Sequence, residues 1–169
     1  FGNICIAGHN YNNNLFFIEG EDIVKEAYKQ SLLKELYVLD GTVVNIDVPI
    51  TYVSYEVMKK LSDMESVSPY YGVCYKKKEL EIGNRIIILD AIQDPGNLGT
   101  IIRSAVAFNI DTIILGKGTV DVYNSKVVRA SQGMLFHINI VEDSLENIIP
   151  ELKKNGCNII GTKVTHGNS

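Results

Sequence analysis

Short apolar runs alternate with segments of helical spacing along most of the chain. Apolar runs bounded by glycine, aspartate or asparagine are typical of buried strands. In the first half of the chain they predict strands at 15–18, 36–39, 51–53 and 71–75. Apolar residues three and four positions apart predict a helix over 21–28 and a second helix to about residue 61, capped by Ser54. The first half is therefore predicted to be a small α/β unit.

The second half repeats strand and helix in a regular order. Its predicted strands are 85–89, 112–115, 136–141 and 158–161, and its predicted helices are 98–108, 124–132 and a segment from 143 to about 155. Asp143 followed three residues later by Glu146 is a capping-box pattern. His137 alternates with apolar neighbours and is interpreted as a structural residue of its strand. This order favours an α/β fold with a parallel sheet covered on both faces.

A charged stretch separates the two halves. Three consecutive lysines, Lys76 to Lys78, are followed by acidic residues and by the Gly83-Asn84 turn. The lysines are interpreted as part of a solvated connector, with a phosphate-facing patch as the alternative. The predicted division is an atypical lead-in at 1–14, a first domain at 15–78, a linker at 79–84 and a second domain at 85–169.

Composition narrows the class of protein without deciding it. The 169 residues are 46% hydrophobic and 21% charged, as in a globular protein with a core. A net charge of −4 excludes a globally basic nucleic-acid binder, although it permits a local basic surface. Cys5, Cys74 and Cys157 are far apart and show no metal-ligand spacing, so we expect reduced thiols in the cytoplasm and no metal site. No apolar run approaches the length of a membrane span.

The candidate functional residues lie in the segment between the predicted strand at 85–89 and the following helix, and in that helix. Residues 94–96, Asp-Pro-Gly, predict a turn, and Asn97 is predicted to cap the helix. Gly96, Gly99 and Arg103 recur at intervals of three and four, so the two glycines are expected to clear space above Arg103. Amide groups at the helix start and one guanidinium could then bind an anion. The alternatives are a tight structural turn, a surface ion pair of Arg103, and a site for some other phosphate ligand.

Residues 90–108 resemble motif 1 of the SpoU (TrmH-like) family of RNA ribose 2′-O-methyltransferases, within the SPOUT superfamily. The resemblance continues through 113–116 and 127–133 to about residue 165. Residues 16–20, and the segment from there to about residue 75, resemble the family's N-terminal RNA substrate-binding domain, which is similar to ribosomal protein L30e. The implied fold is a small L30e-like α/β domain followed by a parallel-sheet SPOUT (α/β-knot) methyltransferase domain.

The resemblance implies transfer of a methyl group from S-adenosylmethionine to a ribose 2′-hydroxyl of rRNA or tRNA by a cytoplasmic homodimer, without a metal or a membrane. Asn97 and Arg103 match the polar pair of the active site. Arg103 is expected to hold a phosphate and orient the hydroxyl, since a guanidinium is a poor general base. Candidate RNA contacts are Gly96, Gly99, Lys117, Lys126, Arg129 and Ser131. Gly161 and Thr162 are the candidate cofactor contacts.

Two later motifs of that family have no counterpart in this sequence. One is a glycine–asparagine–glutamate signature, and the other is a segment carrying serine, leucine and asparagine. Because these motifs form most of the cofactor pocket, we expect the methyltransferase domain at 85–169 to be incomplete at its carboxyl end. The alternative function is therefore a non-catalytic RNA-binding module. For Lys117, Lys126 and Arg129, the alternative is a solvated surface.

Overall fold

The computed structural model describes residues 14–162. Almost all of the predicted lead-in at 1–14, and residues 163–169 of the predicted second domain, therefore lie outside the described residues. Within 14–162, no helix is long and apolar enough to cross a membrane. The elements fall into two α/β halves, each built on its own sheet.

The first half is a four-stranded mixed sheet with two helices. Its elements are β1 (Leu15–Glu19), α1 (Glu21–Lys29), β2 (Leu33–Leu39), β3 (Ile50–Val53), α2 (Tyr55–Leu61) and β4 (Tyr70–Tyr75). The strand order is β1-β4-β2-β3. Both β1 and β2 run antiparallel to β4, whereas β3 runs parallel to β2. Every strand and helix predicted in this half is present.

The second half contains a parallel sheet, as predicted, although within 14–162 it has three strands instead of the four predicted. Its elements are β5 (Ile86–Leu89), α3 (Pro95–Ala107), β6 (Thr112–Leu115), α4 (Ser125–Ala130), a 3-10 helix (Met134–His137), β7 (Asn139–Glu142) and α5 (Leu145–Lys154). The strand order is β5-β6-β7, and both pairs are parallel. Ile113 packs in the core that includes α3 and α4, whereas the next residue, Ile114, packs with α5. Helices therefore cover both faces of the sheet.

The predicted strand at 136–141 is confirmed only from residue 139 onward, as part of β7, and the predicted strand at 158–161 is wrong. The segment predicted as a strand at 136–141 begins instead with the 3-10 helix, because Gly133 adopts a left-handed φ of 81° and its carbonyl accepts from Phe136 N at 3.1 Å. His137 lies in that helix rather than in a strand, and its Nε2 is 2.7 Å from Glu26 Oε1. The segment 158–161 pairs with no strand within the described residues.

The capping box predicted at Asp143 is also wrong. Helix α5 begins one residue later than expected, with Ser144 as its N-cap. The Asp143 carboxylate accepts from the amide of Ser144 at 2.6 Å, so it is engaged by its own neighbour. The N-cap position of α2, in contrast, is Ser54, as predicted.

The stretch between the halves is packed against the second sheet rather than solvated. Lys77 Nζ donates to the carbonyls of Phe136 at 2.9 Å and Ile138 at 3.2 Å, and burial lowers the pKa of this ammonium group. Leu80 N donates to Asn139 Oδ1 at 2.9 Å. The interpretation of the three lysines as a solvated connector is therefore wrong for Lys77.

A single hydrophobic core joins the two halves. The ring of Phe16 on β1 lies 4.7 Å from the ring of Tyr123 and 6.2 Å from that of Phe136. These side chains belong to one buried cluster that contains residues of both sheets. The two sheets are therefore packed together through apolar contacts. The division into domains at 79–84 stays a prediction.

Candidate functional site

Helix α3 begins two residues before Asn97, so Asn97 is not its cap. Asp94 is the N-cap, and its Oδ1 accepts from Asn97 N at 2.7 Å. Pro95 occupies the first helical position, where its missing N–H costs nothing. The predicted cap is thus wrong. Because the Asp94 carboxylate already accepts from one first-turn amide, the predicted anion site at the helix start is partly occupied by the protein itself.

The turn before α3 is held by the loop that follows β6. Gly116 N donates to Leu89 O at 2.8 Å, and Val120 N donates to Ile92 O at 2.9 Å. Ala91, between these two contacts, has a left-handed φ of 50°, which is unfavourable for a residue with a side chain. The same loop carries the exposed side chain of Lys117. The structure therefore brings the loop of Lys117 against the turn of the motif.

Asn97 and Arg103 both lie on the exposed face of α3. Six positions along a helix correspond to about 9 Å of rise and roughly one and two-thirds turns, so the two side chains start about 120° apart around the helix axis. The exposed positions on this face are Gly96, Asn97, Thr100, Arg103, Ser104 and Ala107. Apart from Asn97 and Arg103 these residues are small, which leaves the guanidinium accessible. No acid within residues 14–162 forms an ion pair with Arg103.

Gly99 has a packing role that the sequence did not indicate. It is buried, and a Cβ placed on it would lie 2.4 Å from Ala130 Cβ and 2.8 Å from the Ala130 carbonyl carbon. Gly99 therefore lets α3 approach α4 closely, and the prediction that it clears space above Arg103 is wrong. Gly96, in contrast, is exposed, and its added Cβ would meet only Asp94 Oδ1, at 3.3 Å.

Helix α4 presents only part of the predicted RNA surface. Lys126 is exposed, and Arg129 is half-buried at a cleft between the two sheets. Ser131 is fully buried, and its hydroxyl donates to Val128 O at 2.7 Å. Ser131 is thus inaccessible to RNA, and its assignment as an RNA contact is wrong. A buried hydroxyl that donates to a carbonyl of the preceding helical turn has a structural role.

Gly161 and Thr162 are exposed and line a cavity of about 920 Å³. Leu89, Asp90 and Ile92, at the carboxyl end of β5, line the same cavity. This is the end of a parallel strand at which α/β proteins bind ligands. The volume suits a small-molecule ligand, and the wall combines apolar side chains with the carboxylate of Asp90. Asp90 was not singled out from the sequence, although its place directly after a buried strand is a usable signal.

Among the residues that the structure describes, no three His, Cys, Asp or Glu side chains are grouped as metal ligands. Cys74 is a free thiol inside the core, and burial raises its pKa to about 12. Cys157 is also a free thiol and is half-buried.

Known proteins resemble this chain over both halves. Residues 84–169 match the model of the SpoU rRNA Methylase family. The 23S rRNA (guanosine(2553)-2′-O)-methyltransferase RlmP of Bacillus subtilis is 37% identical over 160 residues, which are 91% of this chain and 64% of that protein. The mitochondrial rRNA methyltransferase 3 of Mus musculus is 32% identical over 114 residues, which are 62% of this chain and 27% of that protein.

Solved structures agree with the sequence relatives. The AdoMet-bound rRNA methyltransferase from Sinorhizobium meliloti superposes with a TM-score of 0.69 at 26% identity, covering 83% of this chain and 58% of that one. The chain therefore spans less than two thirds of the length of these relatives. Its mixed α/β architecture with a parallel sheet is that of SPOUT methyltransferases. Since the family model matches about half of the chain, this protein belongs to the SpoU rRNA Methylase family.

Proposed function

We propose that this protein transfers a methyl group from S-adenosylmethionine to a ribose 2′-hydroxyl of ribosomal or transfer RNA. The observation that carries the proposal is Arg103, an exposed guanidinium without an acidic partner in the described part of the chain, on helix α3 within the segment that matches the family model. The Bacillus subtilis relative is named as a 2′-O-methyltransferase of 23S rRNA, and the Sinorhizobium meliloti structure is AdoMet-bound.

Arg103 and Asn97 have separate roles in this proposal. When bound, S-adenosylmethionine supplies an electrophilic methyl group on its sulfonium sulfur. In the transfer, the ribose 2′-oxygen would bond to the methyl carbon, S-adenosylhomocysteine would leave with the electron pair of the broken carbon–sulfur bond, and the hydroxyl proton would pass to solvent. A guanidinium stays protonated at neutral pH, so Arg103 binds the neighbouring phosphate and orients the hydroxyl rather than accepting its proton. The Asn97 side chain lies on the same exposed face and would orient the ribose.

The cavity beside the motif is the proposed place of the cofactor. Gly161 and Thr162 would contact it from one side and Asp90 from the other, because all three line the same space. A carboxylate suits hydroxyl or amino groups of a nucleoside, and the surrounding isoleucines suit its apolar surface. The chemistry of these lining residues fits the cofactor. The start of α3 has fewer free amides to offer an anion, because Asp94 already accepts from Asn97 N.

The proposed RNA surface runs from α3 to α4 and onto the first sheet. Gly96, Lys117, Lys126 and Arg129 are the proposed contacts, of which the three cations would bind phosphates. The first half, at 15–78, is proposed to be an L30e-like RNA-binding domain joined through 79–84 to the catalytic domain at 85–169. The proposed assembly is a cytoplasmic homodimer, as the resemblance to the family implies.

A methyl-transfer assay on the product of the whole reading frame tests the proposed activity. Ribosomal and transfer RNA from a strain lacking the gene are incubated with the folded protein and S-adenosylmethionine labelled in its methyl group. Label should enter one RNA class at a ribose, which nuclease digestion and mass spectrometry of the nucleosides would show. A folded protein that labels neither RNA would contradict the proposal.

Calorimetry with S-adenosylmethionine on the 169-residue chain separates the enzyme from a non-catalytic RNA-binding module. Heat from saturable binding, lost in Asp90→Ala, would support the cavity as the cofactor site. Binding that is unchanged in Asp90→Ala would place the cofactor elsewhere. Absence of binding by this chain, combined with absence of methyl transfer by the whole protein, would favour the module.

A further inference from the structure

A cleft of about 310 Å³ lies along the outer edge of β1, and neither Asn97 nor Arg103 lines it. All five residues of β1, Leu15–Glu19, line it. They can do so because β1 is the outer strand of its sheet and pairs only with β4 within the described residues. The opposite wall comes from the second half of the chain, through Asp121, Tyr123 and Arg129. The cleft is thus formed only when the two halves pack together.

Aromatic rings and an outer strand give this cleft two means of binding a nucleobase. Phe17 and Tyr71 lie on neighbouring strands with ring centroids 5.7 Å apart, and both line the cleft. Tyr123 lines it from the other side. Unpaired bases in RNA stack on aromatic side chains and donate or accept hydrogen bonds at their Watson–Crick edges. An edge strand also offers backbone N–H and C=O groups to a ligand.

One end of the cleft is a group of hydrogen-bond acceptors. Glu19 and Asp63 line it beside Tyr71, which pairs with Glu19 across β1 and β4. The Ser62 hydroxyl donates to Glu19 Oε1, so Glu19 is held by the residue that precedes Asp63, and both carboxylates act on Tyr71. Asp63 is exposed and accepts no hydrogen bond from the residues at 14–162. Burial and these two negative charges raise the pKa of Tyr71 to about 12, so its phenol stays a neutral donor.

The other end of the cleft carries the ammonium group of Lys76, while Asp121 accepts from Tyr123 N at 2.9 Å on the opposite wall. Lys76 follows Tyr75, which pairs with Leu15 at the start of β1, whereas Glu19 is at the end of that strand. The two ends of β1 are therefore separated by four residue steps, or roughly 14 Å. Lys76 Nζ lies 4.9 Å from the centroid of the Tyr123 ring, which positions the ammonium group at this end. Arg129 contributes a second cation to the wall.

From this arrangement we infer that the cleft binds an unpaired guanine nucleotide of the substrate RNA. The base would lie at the Glu19 and Asp63 end, and its phosphate would lie near Lys76. Guanine fits best because its Watson–Crick edge carries an N1–H and an amino group side by side, which two adjacent carboxylates can accept. Adenine and cytosine each offer a single amino group there, and uracil offers a single N–H. The inference rests on the proposed function for its RNA substrate, and it adds the base that is read.

Binding of short RNAs to the 169-residue chain tests this inference without any methyl donor. Four fluorescently labelled single-stranded pentamers, each with a central G, A, C or U between uridines, are titrated by anisotropy at one fixed salt concentration. We expect the G pentamer to bind about tenfold more tightly than the U pentamer, the preference that one good carboxylate-to-base contact supports. Equal affinity for the four pentamers would overturn the inference.

The variants Asp63→Asn and Glu65→Gln form a matched pair for the same titration. Both remove one negative charge from the same exposed loop, but only Asp63 lines the cleft. Asp63→Asn should reduce the preference for G to less than about threefold, whereas Glu65→Gln should retain it. An unchanged preference in Asp63→Asn would refute the assignment. Free guanosine 5′-monophosphate that binds as tightly as the G pentamer would show a site for free nucleotides and would overturn the RNA assignment.

The binding and methylation results can fail independently. A preference for G without methyl transfer by the whole protein would remove the enzyme proposal and leave the guanine cleft. Methyl transfer without any preference for G in the titration would remove the cleft and leave the enzyme.

Discussion

Gly99 of α3 faces Ala130 of α4 so closely that a Cβ on Gly99 would lie 2.4 Å from Ala130 Cβ. The next nearest atoms are backbone atoms of Ala130 and Ser131, at 2.8 and 2.9 Å, so no flexible side chain can give way. Gly99→Ala should therefore separate the two helices and lower the free energy of unfolding by about 1–3 kcal/mol, as other overpacked cores do. Urea denaturation followed by circular dichroism measures the loss.

Gly96→Ala is the matched control, since the same methyl group would meet only Asp94 Oδ1, at 3.3 Å. Its free energy of unfolding should change by less than about 0.5 kcal/mol. If Gly99→Ala were as stable as Gly96→Ala, the contact between α3 and α4 would be looser than the structure shows.

Asp94 rather than Asn97 should stabilise the start of α3. Asp94→Ala removes the carboxylate that accepts from Asn97 N and should lower the free energy of unfolding by about 1 kcal/mol. Asn97→Ala should change it by less than about 0.5 kcal/mol, because that exposed side chain does not cap the helix. Thermal melts of both variants, compared at one protein concentration, check the order. A larger loss in Asn97→Ala would restore the cap predicted from the sequence.

Arg103→Ala should abolish most methyl transfer in the whole protein without unfolding it. Loss of one positioned charge at a reacting centre commonly lowers the rate about 10²–10³-fold, and an exposed side chain contributes little to stability. The initial rate on the identified RNA, with circular dichroism as the folding check, measures both. Arg85→Ala is the control, since Arg85 is also exposed but precedes β5 at the opposite end of that strand. Full activity in Arg103→Ala would contradict the site assignment.

The buried thiol of Cys74 should make the protein labile at alkaline pH. Its pKa is raised from a usual 9.0 to about 12 in the folded chain, so its stabilising contribution is complete below pH 9. Above pH 9 only the unfolded chain releases the proton, and stability falls by roughly 1.4 kcal/mol per pH unit toward pH 12. In urea unfolding between pH 8 and pH 11, the free energy of unfolding should fall less steeply with pH for Cys74→Ala than for the unchanged protein. Val73→Ala, a neighbouring buried truncation that removes no titratable group, should lower stability without changing the slope.

The contact between Glu26 on α1 and His137 should contribute stability that acid removes. The hydrogen bond with His137, and to a smaller extent the charge of Lys29, lowers the pKa of Glu26 below its usual 4.5. The contribution is therefore complete above pH 4.5 and is lost as the pH falls through the lowered pKa. Because both side chains are partly exposed, Glu26→Gln should lower the free energy of unfolding by less than about 1 kcal/mol at pH 6. Below pH 4.5 the free energy of unfolding of this variant should depend less on pH.

His137→Ala is the reciprocal variant for that contact. If the two side chains act as a pair, the double variant should lose less than the sum of the single losses. Strictly additive losses would mean that Glu26 and His137 stabilise the protein separately.

The sequence alone determined the order of elements and the position of the motif. Buried strands and amphipathic helices follow local periodicity, so the first half and the parallel order of β5, β6 and β7 could be predicted. The predicted turn at 94–96 is an exception and is wrong, because Pro95 and Gly96 already belong to α3. The exposure of Arg103 could be predicted, because helical spacing separates the apolar stripe from the opposite face. Each of these features depends on residues that are near one another in the chain.

Only the tertiary structure decided which groups meet across the fold. Gly99 is a packing residue because α4 lies against it. Ser131 is inaccessible because its helical turn is buried. Neither fact has a local signature, since glycine and serine tolerate both exposed and buried sites. The guanine cleft likewise joins Glu19 and Arg129, which are more than a hundred residues apart in the chain. Periodicity reports which side of an element is buried, whereas the partner on that side is fixed by long-range packing.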